Sequence, residues 1–264
     1  MEVAGANRRW RWPFRYRGSR RESAVAQLCS LNHIMLTPVL SHRNESLVDL
    51  YCKNWPALCG IRSRFQDLST PYLAWVHSDY EQADIRLVVV GKETNGWESD
   101  DAIAGLDTKQ AVERLMRCYS DFKLGVEYSG KQSFWTPVHE LYRRFNPEGP
   151  TFCFVALNAS KMDQDQRQPN DEARDTIIAT GLLRDEIRIL EPDVVVFHTG
   201  PYYESWLDGW FPDLKRTGDM WLSRLDATGL PKHSFRSYHP QYLNRTSQRE
   251  AIYDRIIAEV DHVA

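Results

Sequence analysis

Hydrophobic and polar positions along the chain fall into blocks whose spacing predicts strands and helices in turn. Short aliphatic runs that end at glycine or at polar residues are typical of buried strands. Longer segments with an apolar residue at every third or fourth position are typical of helices with one buried face. The predicted strands are 85–90, 152–157, 193–198 and 234–238, and the predicted helices are 108–119, 135–145, 171–190, 202–208 and 247–260.

This alternation predicts an α/β protein with a mainly parallel four-stranded sheet and helices on both faces, an α/β/α sandwich. The last helix has the clearest start signal, because Ser247 and Glu250 match a capping box. Aromatic residues between two prolines predict a helical cap at 41–84. We therefore expect residues 41–264 to form a single α/β domain that begins with this cap.

Residues 1–40 lack sustained periodicity and are predicted to be an N-terminal arm without regular structure. Seven arginines lie between Arg8 and Arg21 against the single acidic Glu2, so residues 1–21 carry a net charge of +6. A chain with −3 overall therefore has −9 on the remainder. Arginines with aromatic residues between them favour contact with DNA. The alternative is a disordered leader that precedes a start at Met35.

Composition narrows the class of protein. With 264 residues and 42% hydrophobic side chains, the chain is long enough for one sizeable core. No apolar run approaches the roughly 18 residues of a membrane span, and the arginine-rich start lacks the apolar centre of a secretory signal. Five scattered cysteines favour a reduced cytoplasm over a disulfide framework. We expect a cytoplasmic monomer that uses no metal and no cofactor.

Polar residues follow all four predicted strands. Parallel strands bring their carboxyl ends to one crevice, where open α/β sheets bind ligands. The surrounding sequence matches neither a dinucleotide-binding nor a phosphate-binding glycine loop, and it contains no serine-hydrolase elbow. A carboxylate, an amide and an imidazole in one crevice can hold a base-sized heterocycle. The polar residues are Glu93 and Asn95, Asn158 and Ser160, His198 and Thr199, and His239, Gln241 and Asn244.

Four segments in this order resemble the motifs of the uracil-DNA glycosylase superfamily, over about residues 85–260. Gly91-Lys92-Glu93-Thr94-Asn95 is similar to the first motif, and Phe154-Val155-Ala156-Leu157-Asn158 to the strand that ends in a base-reading Asn. The segment from Glu186 to Gly200 resembles the helix-Pro-strand-Gly segment, and Tyr238-His239-Pro240-Gln241-Tyr242-Leu243-Asn244-Arg245 resembles the second motif with its DNA-wedging loop. Glu93, Thr94 and Gln241 replace the usual Asp or Asn, Pro and Ser. No four-cysteine set of the iron–sulfur branches is visible.

The resemblance implies a role for each matching residue. Glu93 would stabilise positive charge on the sugar and orient water, and His239 would donate a hydrogen bond to the departing base. Asn158 would bind the base edge, Trp97 or the pair Phe134-Trp135 would stack on its face, and Asn95 would leave room at the pyrimidine C5. The expected DNA contacts are Lys92, Gln241, Tyr242, Leu243, Asn244 and Arg245. Each residue also has an ordinary interpretation as loop, cap, turn or core.

We therefore predict a monofunctional DNA glycosylase that flips out a pyrimidine and hydrolyses its N-glycosidic bond. The base is uracil or a 5-modified pyrimidine such as a modified cytosine of phage DNA, in base-excision repair or antiphage defence. No lysine matches the position of the activating carboxylate, so a Schiff-base lyase step is not expected. Two alternatives stay open: a non-catalytic DNA- or nucleotide-binding module on the same fold, and a small-molecule nucleosidase.

Overall fold

A six-stranded mixed sheet forms the centre of the fold in a computed structural model, which describes residues 41–98, 100–126, 133–151 and 153–261. The predicted arm at 1–40 lies outside these residues. The strand order is β2-β1-β3-β6-β5-β4. The strands are β1 (Leu87–Gly91), β2 (Phe154–Asn158), β3 (Val194–Phe197), β4 (Lys215–Gly218), β5 (Leu222–Asp226) and β6 (His233–Ser237).

The α/β class and the four predicted strands are confirmed, and β2, β1, β3 and β6 pair in parallel. The prediction of a four-stranded sheet is wrong, because β4 and β5 add an antiparallel hairpin beside β6. The sequence Lys215-Arg216-Thr217-Gly218 of β4 is largely exposed and lacks the aliphatic run of a buried strand. An edge strand needs no such run, since only its backbone must pair.

Eight α-helices are present in the described part of the chain. The predicted helix at 171–190 is two helices, because Gly181 adopts a left-handed conformation with φ of 72°. The predicted helix at 247–260 begins at Arg249, and Ser247 has a φ of 55° and precedes it, so the predicted capping box is not formed. The helices are α1 (His42–Arg64), α2 (Thr108–Asp121), α3 (Trp135–Phe145), α4 (Asp171–Ala179), α5 (Leu182–Leu190), α6 (Glu204–Trp210), α7 (Pro240–Arg245) and α8 (Arg249–Asp261).

The predicted helical cap is one long helix, α1, followed by a mainly extended segment with a short 3₁₀ turn at Ser78–Gln82. The buried Asn44 side chain holds the two together, since its amide donates to the Val76 carbonyl and accepts from the Val76 N–H, both at 2.8 Å. The Tyr51 hydroxyl accepts from the Ala74 N–H and donates to Glu186 of α5. The cap is thereby anchored to a helix of the α/β unit.

The core is built on the aliphatic strands β1, β2 and β3, whose side chains are buried except for Asn158. At the amino end of the sheet, Arg86 and Asp193 form a two-point ion pair, and the Asp193 carboxylate also accepts from the Arg86 backbone N–H at 2.8 Å. This ion pair and its backbone hydrogen bond fix the register of β1 against β3. Among the described helices, none has the length and apolarity that a membrane crossing requires.

Candidate functional site

The carboxyl ends of the four parallel strands meet at one edge of the sheet. Backbone hydrogen bonds extend past the strands there: the His198 N–H donates to the Val90 carbonyl at 2.8 Å, and the Ser160 N–H donates to the Lys92 carbonyl at 2.8 Å. The Gly200 N–H donates to the Ser237 carbonyl at 2.9 Å. The segments that leave β1, β2, β3 and β6 are therefore tied to one another, as the parallel arrangement leads one to expect.

The loop after β1 is organised by Asp163, a buried carboxylate that the sequence analysis did not single out. Its side chain accepts from the Thr94 hydroxyl, from the Gly96 N–H at 3.1 Å and from the Trp97 N–H at 3.3 Å. Gly96 has a φ of 81°, a conformation that favours glycine. The loop that carries Glu93 is thus held from a distant part of the chain and is pre-organised.

Glu93 itself is held by Tyr203, whose hydroxyl donates to its Oε2. Tyr203 lies in a 3₁₀ turn just after β3, is 2% exposed, and stacks on Trp206 with ring centroids 5.7 Å apart. Burial raises the pKa of Glu93 to about 7, because the charged form loses hydration; Lys92 opposes the rise and Asp163 adds to it. The carboxyl group therefore titrates near neutral pH.

Lys92 is the cation closest in sequence to this carboxylate, and its Nζ lies 5.7 Å from the centroid of the Tyr203 ring. Its charge lowers the pKa values of both Glu93 and His239. Lys92 thus lies within electrostatic range of the exits of β1 and β6. A cation there favours an anionic ligand in the crevice.

His239 caps the amino end of α7. Its Nδ1 accepts from the Gln241 N–H at 3.2 Å, so the proton of the neutral ring is on Nε2. Burial, Lys92 and His198 lower the pKa of His239 to about 3. Burial is the main cause of this shift, and the helix that adjoins His239 is α7. The structure gives a neutral imidazole with an Nε2–H donor.

Phe134 and His198 border His239. The Phe134 ring lies 5.4 Å from the His239 ring at an interplanar angle of 36°, and 6.2 Å from the His198 ring. His198 is fully buried, and its Nδ1 donates to the Tyr238 carbonyl at 3.4 Å. Burial lowers the pKa of His198 to about 4, so both imidazoles are neutral at physiological pH. Of the three predicted stacking rings, Phe134 is the one in contact with His239.

The other two rings are packed among aromatic neighbours. Trp97 meets Tyr72 edge-on with centroids 4.8 Å apart, and Trp135 packs on Phe122 at 5.1 Å. Trp97 remains half-buried in the loop of Glu93, but its contacts are those of a loop anchor. Lys161 is fully buried in an ion pair with Glu186, so its ammonium group does not reach solvent.

Asn158 closes β2 and lies directly beside Gly91 of β1, its partner in the strand register. A Cβ at position 91 would come within 2.5 Å of the Asn158 Oδ1. The absence of a side chain at Gly91 therefore makes the space that the amide occupies. Asn158 is half-buried. An amide in that place offers both a donor and an acceptor.

The segment after His239 is the short helix α7 and not an open loop. Leu243 is 0% exposed and belongs to the core, so it is not available to insert into DNA, and that expected role is corrected. Tyr242 is 40% exposed, and its ring stacks on Tyr238 at 4.7 Å. Asn244 and Arg245 are exposed, Gln241 is half-buried, and Asn95 of the β1 loop is exposed.

Sequence reasoning missed Tyr203 and Asp163, the two side chains that hold the Glu93 loop. Tyr203 follows Gly200 and Pro201 at the exit of β3, where a polar residue was expected only at positions 198 and 199. Asp163 lies five residues beyond Asn158 in the same exit segment as Ser160. An acidic residue near the end of a buried strand was the available signal for Asp163.

The arrangement combines a carboxylate that titrates near pH 7, a neutral imidazole donor and an aromatic ring beside that imidazole. Among the described residues, no cluster of three or more His, Cys, Asp or Glu is placed to hold a metal ion. No protein-family model matches this chain, and no curated protein matches it.

Proposed function

We propose that this protein is a monofunctional DNA glycosylase that hydrolyses the N-glycosidic bond of a flipped pyrimidine. The observation that carries the proposal is the pair formed by Glu93 and His239, which lie at the exits of β1 and β6. One is an acid whose pKa burial raises to about 7, and the other is an imidazole kept neutral with its proton on Nε2. A glycosylase-like α/β/α arrangement, with helices on both faces of the sheet, belongs to the same proposal.

The reaction needs two opposite charges to be stabilised at the same time. As the bond between C1′ and the base nitrogen breaks, its electron pair leaves with the base, and the sugar becomes cationic. The Glu93 carboxylate stabilises that cation and accepts a proton as water adds to C1′. The Nε2–H of His239 donates to the developing oxyanion of the base. Protonation of the departed base completes the balance and leaves an abasic site.

Recognition of the base falls to Asn158 and Phe134. The Asn158 amide offers a donor and an acceptor to the base edge, and the Phe134 ring offers a face for stacking next to His239. The exposed position of Asn95 supports a crevice that is open at the pyrimidine C5. We therefore include 5-modified pyrimidines with uracil as substrates, and a role in repair or in defence against phages with modified DNA.

The test is a cleavage assay with the full chain on oligonucleotides that contain uracil or a 5-modified cytosine, followed by alkali. We expect strand breaks with the wild type and a loss of at least about 100-fold with Glu93→Gln, since general-base and electrostatic effects of one group reach this size. DNA binding by Glu93→Gln should persist. The matched control is Glu148→Gln, an exposed carboxylate on the loop after α3, which should cleave like the wild type.

Two results would contradict the proposal. Salt-sensitive DNA binding without breaks on any substrate would identify a non-catalytic DNA-binding module. Release of bases from free nucleosides, without DNA binding, would identify a nucleosidase. A DNA enzyme should instead bind with a steep dependence on salt, because phosphate contacts release counterions.

A further inference from the structure

Exposed aromatic and apolar side chains are concentrated beside the candidate site. Tyr202 is 82% exposed and Met220 is 59% exposed, and with Tyr242 they are three of the five large exposed hydrophobic residues among those described. The Trp221 ring lies 5.2 Å from the Tyr238 ring and 6.0 Å from the Tyr242 ring. The aromatic platform, as we call it, consists of the exposed Tyr202, Met220 and Tyr242, the half-buried Trp221 and the buried Tyr238.

The rings of the platform are arranged differently from those around Trp97. Tyr238 and Tyr242 are stacked at an interplanar angle of 28°, and Trp221 and Tyr242 at 24°. Trp97 instead meets Tyr72 edge-on at 73°. Near-parallel rings at a surface extend a stack, and a planar nucleobase has the shape to continue it.

The hairpin turn that carries Met220 and Trp221 is fixed from several sides. The Asp219 carboxylate accepts from the Trp221 N–H at 2.8 Å and pairs with Arg255 of α8 at 3.0 Å. The Met220 carbonyl accepts from the buried Arg236 at 2.7 Å. The turn that carries Met220 and Trp221 is therefore fixed before a ligand binds, which lowers the entropic cost of binding.

The platform is continuous with the proposed catalytic site. Tyr238 directly precedes His239, and its carbonyl accepts from His198. The two nearby acids are each paired with an arginine, Asp219 with Arg255 and Glu204 with Arg236. The exposed Arg245 lies on the same helix as Tyr242. Because both acids are paired with arginines, their charge beside the rings is compensated, which is compatible with a polyanionic strand as the occupant.

We propose that the aromatic platform stacks unpaired bases next to the flipped nucleotide, and that the substrate is single-stranded DNA. This inference rests on the proposed function. Bases in a duplex hide their faces inside the helix, whereas unpaired bases expose them to aromatic side chains. The burial of Leu243 points the same way, because α7 then lacks a free aliphatic side chain to fill the gap that a flipped nucleotide leaves in a duplex.

The experiment measures binding of the full chain to labelled single-stranded and duplex oligonucleotides of ordinary sequence, at one fixed salt concentration. We expect the wild type to bind the single strand at least about tenfold more tightly. Trp221→Leu and Tyr242→Leu should each weaken single-strand binding by about 5- to 160-fold, the size of one lost base–aromatic stack. Duplex binding should change less than about twofold in both variants.

Controls separate stacking from folding. Tyr242→Phe and Trp221→Phe keep a ring and should keep most of the affinity for the single strand. Tyr202→Ser changes a side chain that is too exposed to support the core, so a loss of single-strand binding in this variant reports the platform and not the fold. Leu106→Ala changes a residue that is 40% exposed, like Tyr242, and should have no effect. Trp221 packs partly against the core, so Trp221→Leu should lower the urea midpoint, and binding of every variant is measured where urea unfolding shows it to be folded.

Three outcomes would overturn the platform. They are equal affinity for the two forms of DNA, equal losses for both forms in the variants, and a change of oligomeric state on gel filtration without a change in DNA binding. The last would identify a contact between copies of the chain. Because no cleavable base is present, these outcomes are independent of glycosylase activity. Single-strand binding that depends on Trp221, without cleavage of any substrate, would preserve the platform and refute the proposed reaction.

Discussion

Replacing Tyr203 by Phe removes one hydroxyl group and keeps the ring that stacks on Trp206. The hydroxyl donates to the Glu93 carboxylate, and a donor stabilises the charged form of an acid. Hydrogen bonds to charged groups contribute about 1.5–3 kcal/mol, and one pKa unit corresponds to about 1.4 kcal/mol. The neutral carboxyl group also accepts a hydrogen bond from the hydroxyl, and only the difference between the two forms shifts the pKa. The lower end of this energy range therefore applies. We expect the pKa of Glu93 to rise from about 7 by about one unit.

The proposed reaction requires the ionised carboxylate, so this shift has a definite effect on the rate. At pH 7 the ionised fraction of Glu93 should fall from about one half to about one tenth, which slows cleavage about fivefold. At pH 9 both proteins are almost fully ionised, and their rates should converge. A residue that only supports the fold would instead lower the rate by a similar factor at every pH.

The assay is single-turnover cleavage between pH 5.5 and 9.5, together with ¹³C NMR of the glutamate carboxyls, assigned with Glu93→Gln. Tyr80→Phe is the matched control, because the Tyr80 hydroxyl is buried without a hydrogen-bond partner among the described residues. It should leave the pH profile unchanged. A Tyr203→Phe rate that is a constant fraction of wild type across this range, or an unshifted Glu93 titration, would refute the reasoning.

Four further predictions concern the site and the fold that supports it. Gly91→Ala should displace the Asn158 amide, which lies 2.5 Å from the new Cβ, and lower kcat/KM about tenfold. Gly60→Ala, where nothing lies within 4 Å, should keep activity and stabilise α1 by about 0.5–1 kcal/mol in urea unfolding. Asp163→Ala should destabilise the fold by about 3 kcal/mol and reduce cleavage, because several donors lose one charged acceptor; a stability within about 0.5 kcal/mol of wild type would contradict this. Finally, His198 is neutral in the folded protein with a pKa of about 4, whereas the unfolded chain binds a proton below about pH 6.5. Stability is therefore lost as pH falls from about 6.5 towards 4, and wild type should lose about 2 kcal/mol more than His198→Gln between pH 7.5 and 4.5.

Much of the sheet could be predicted because its strands are aliphatic runs that only a buried position explains. The predicted bounds of three parallel strands agree with the observed bounds to within about two residues. Their aliphatic runs are Leu87-Val88-Val89-Val90 and the segments 154–157 and 194–197. Helices α2 and α3 were predicted for a similar reason, since their apolar residues repeat over three turns or more. The hairpin of β4 and β5 has neither signal. Its residues mix charges with isolated apolar positions, and its pairing partners are set by the tertiary fold.

The site was predictable only where it depends on strand ends. Polar residues after buried strands made Glu93, Asn158 and His239 candidates, because the topology of a parallel sheet brings such strand ends to one edge. Tyr203 and Asp163 act on the β1 loop from 110 and 69 residues away, and no local pattern encodes such contacts. Leu243 was predicted to contact DNA from its local sequence, but it is buried in the core. A six-residue helix is too short for periodicity to distinguish a buried leucine from an exposed one.

Each residue that differs from the glycosylase motifs that the sequence resembles has a local role in this structure. Glu93 has one methylene more than Asp, and a longer side chain needs an added restraint, which the Tyr203 hydroxyl supplies. Thr94 in place of Pro provides a hydroxyl that donates to Asp163, the carboxylate that holds the same loop. Gln241 in place of Ser keeps a backbone N–H that sets the tautomer of His239. Under the proposed function, Glu93→Asp alone should leave the Tyr203 hydroxyl without its acceptor and should not improve cleavage.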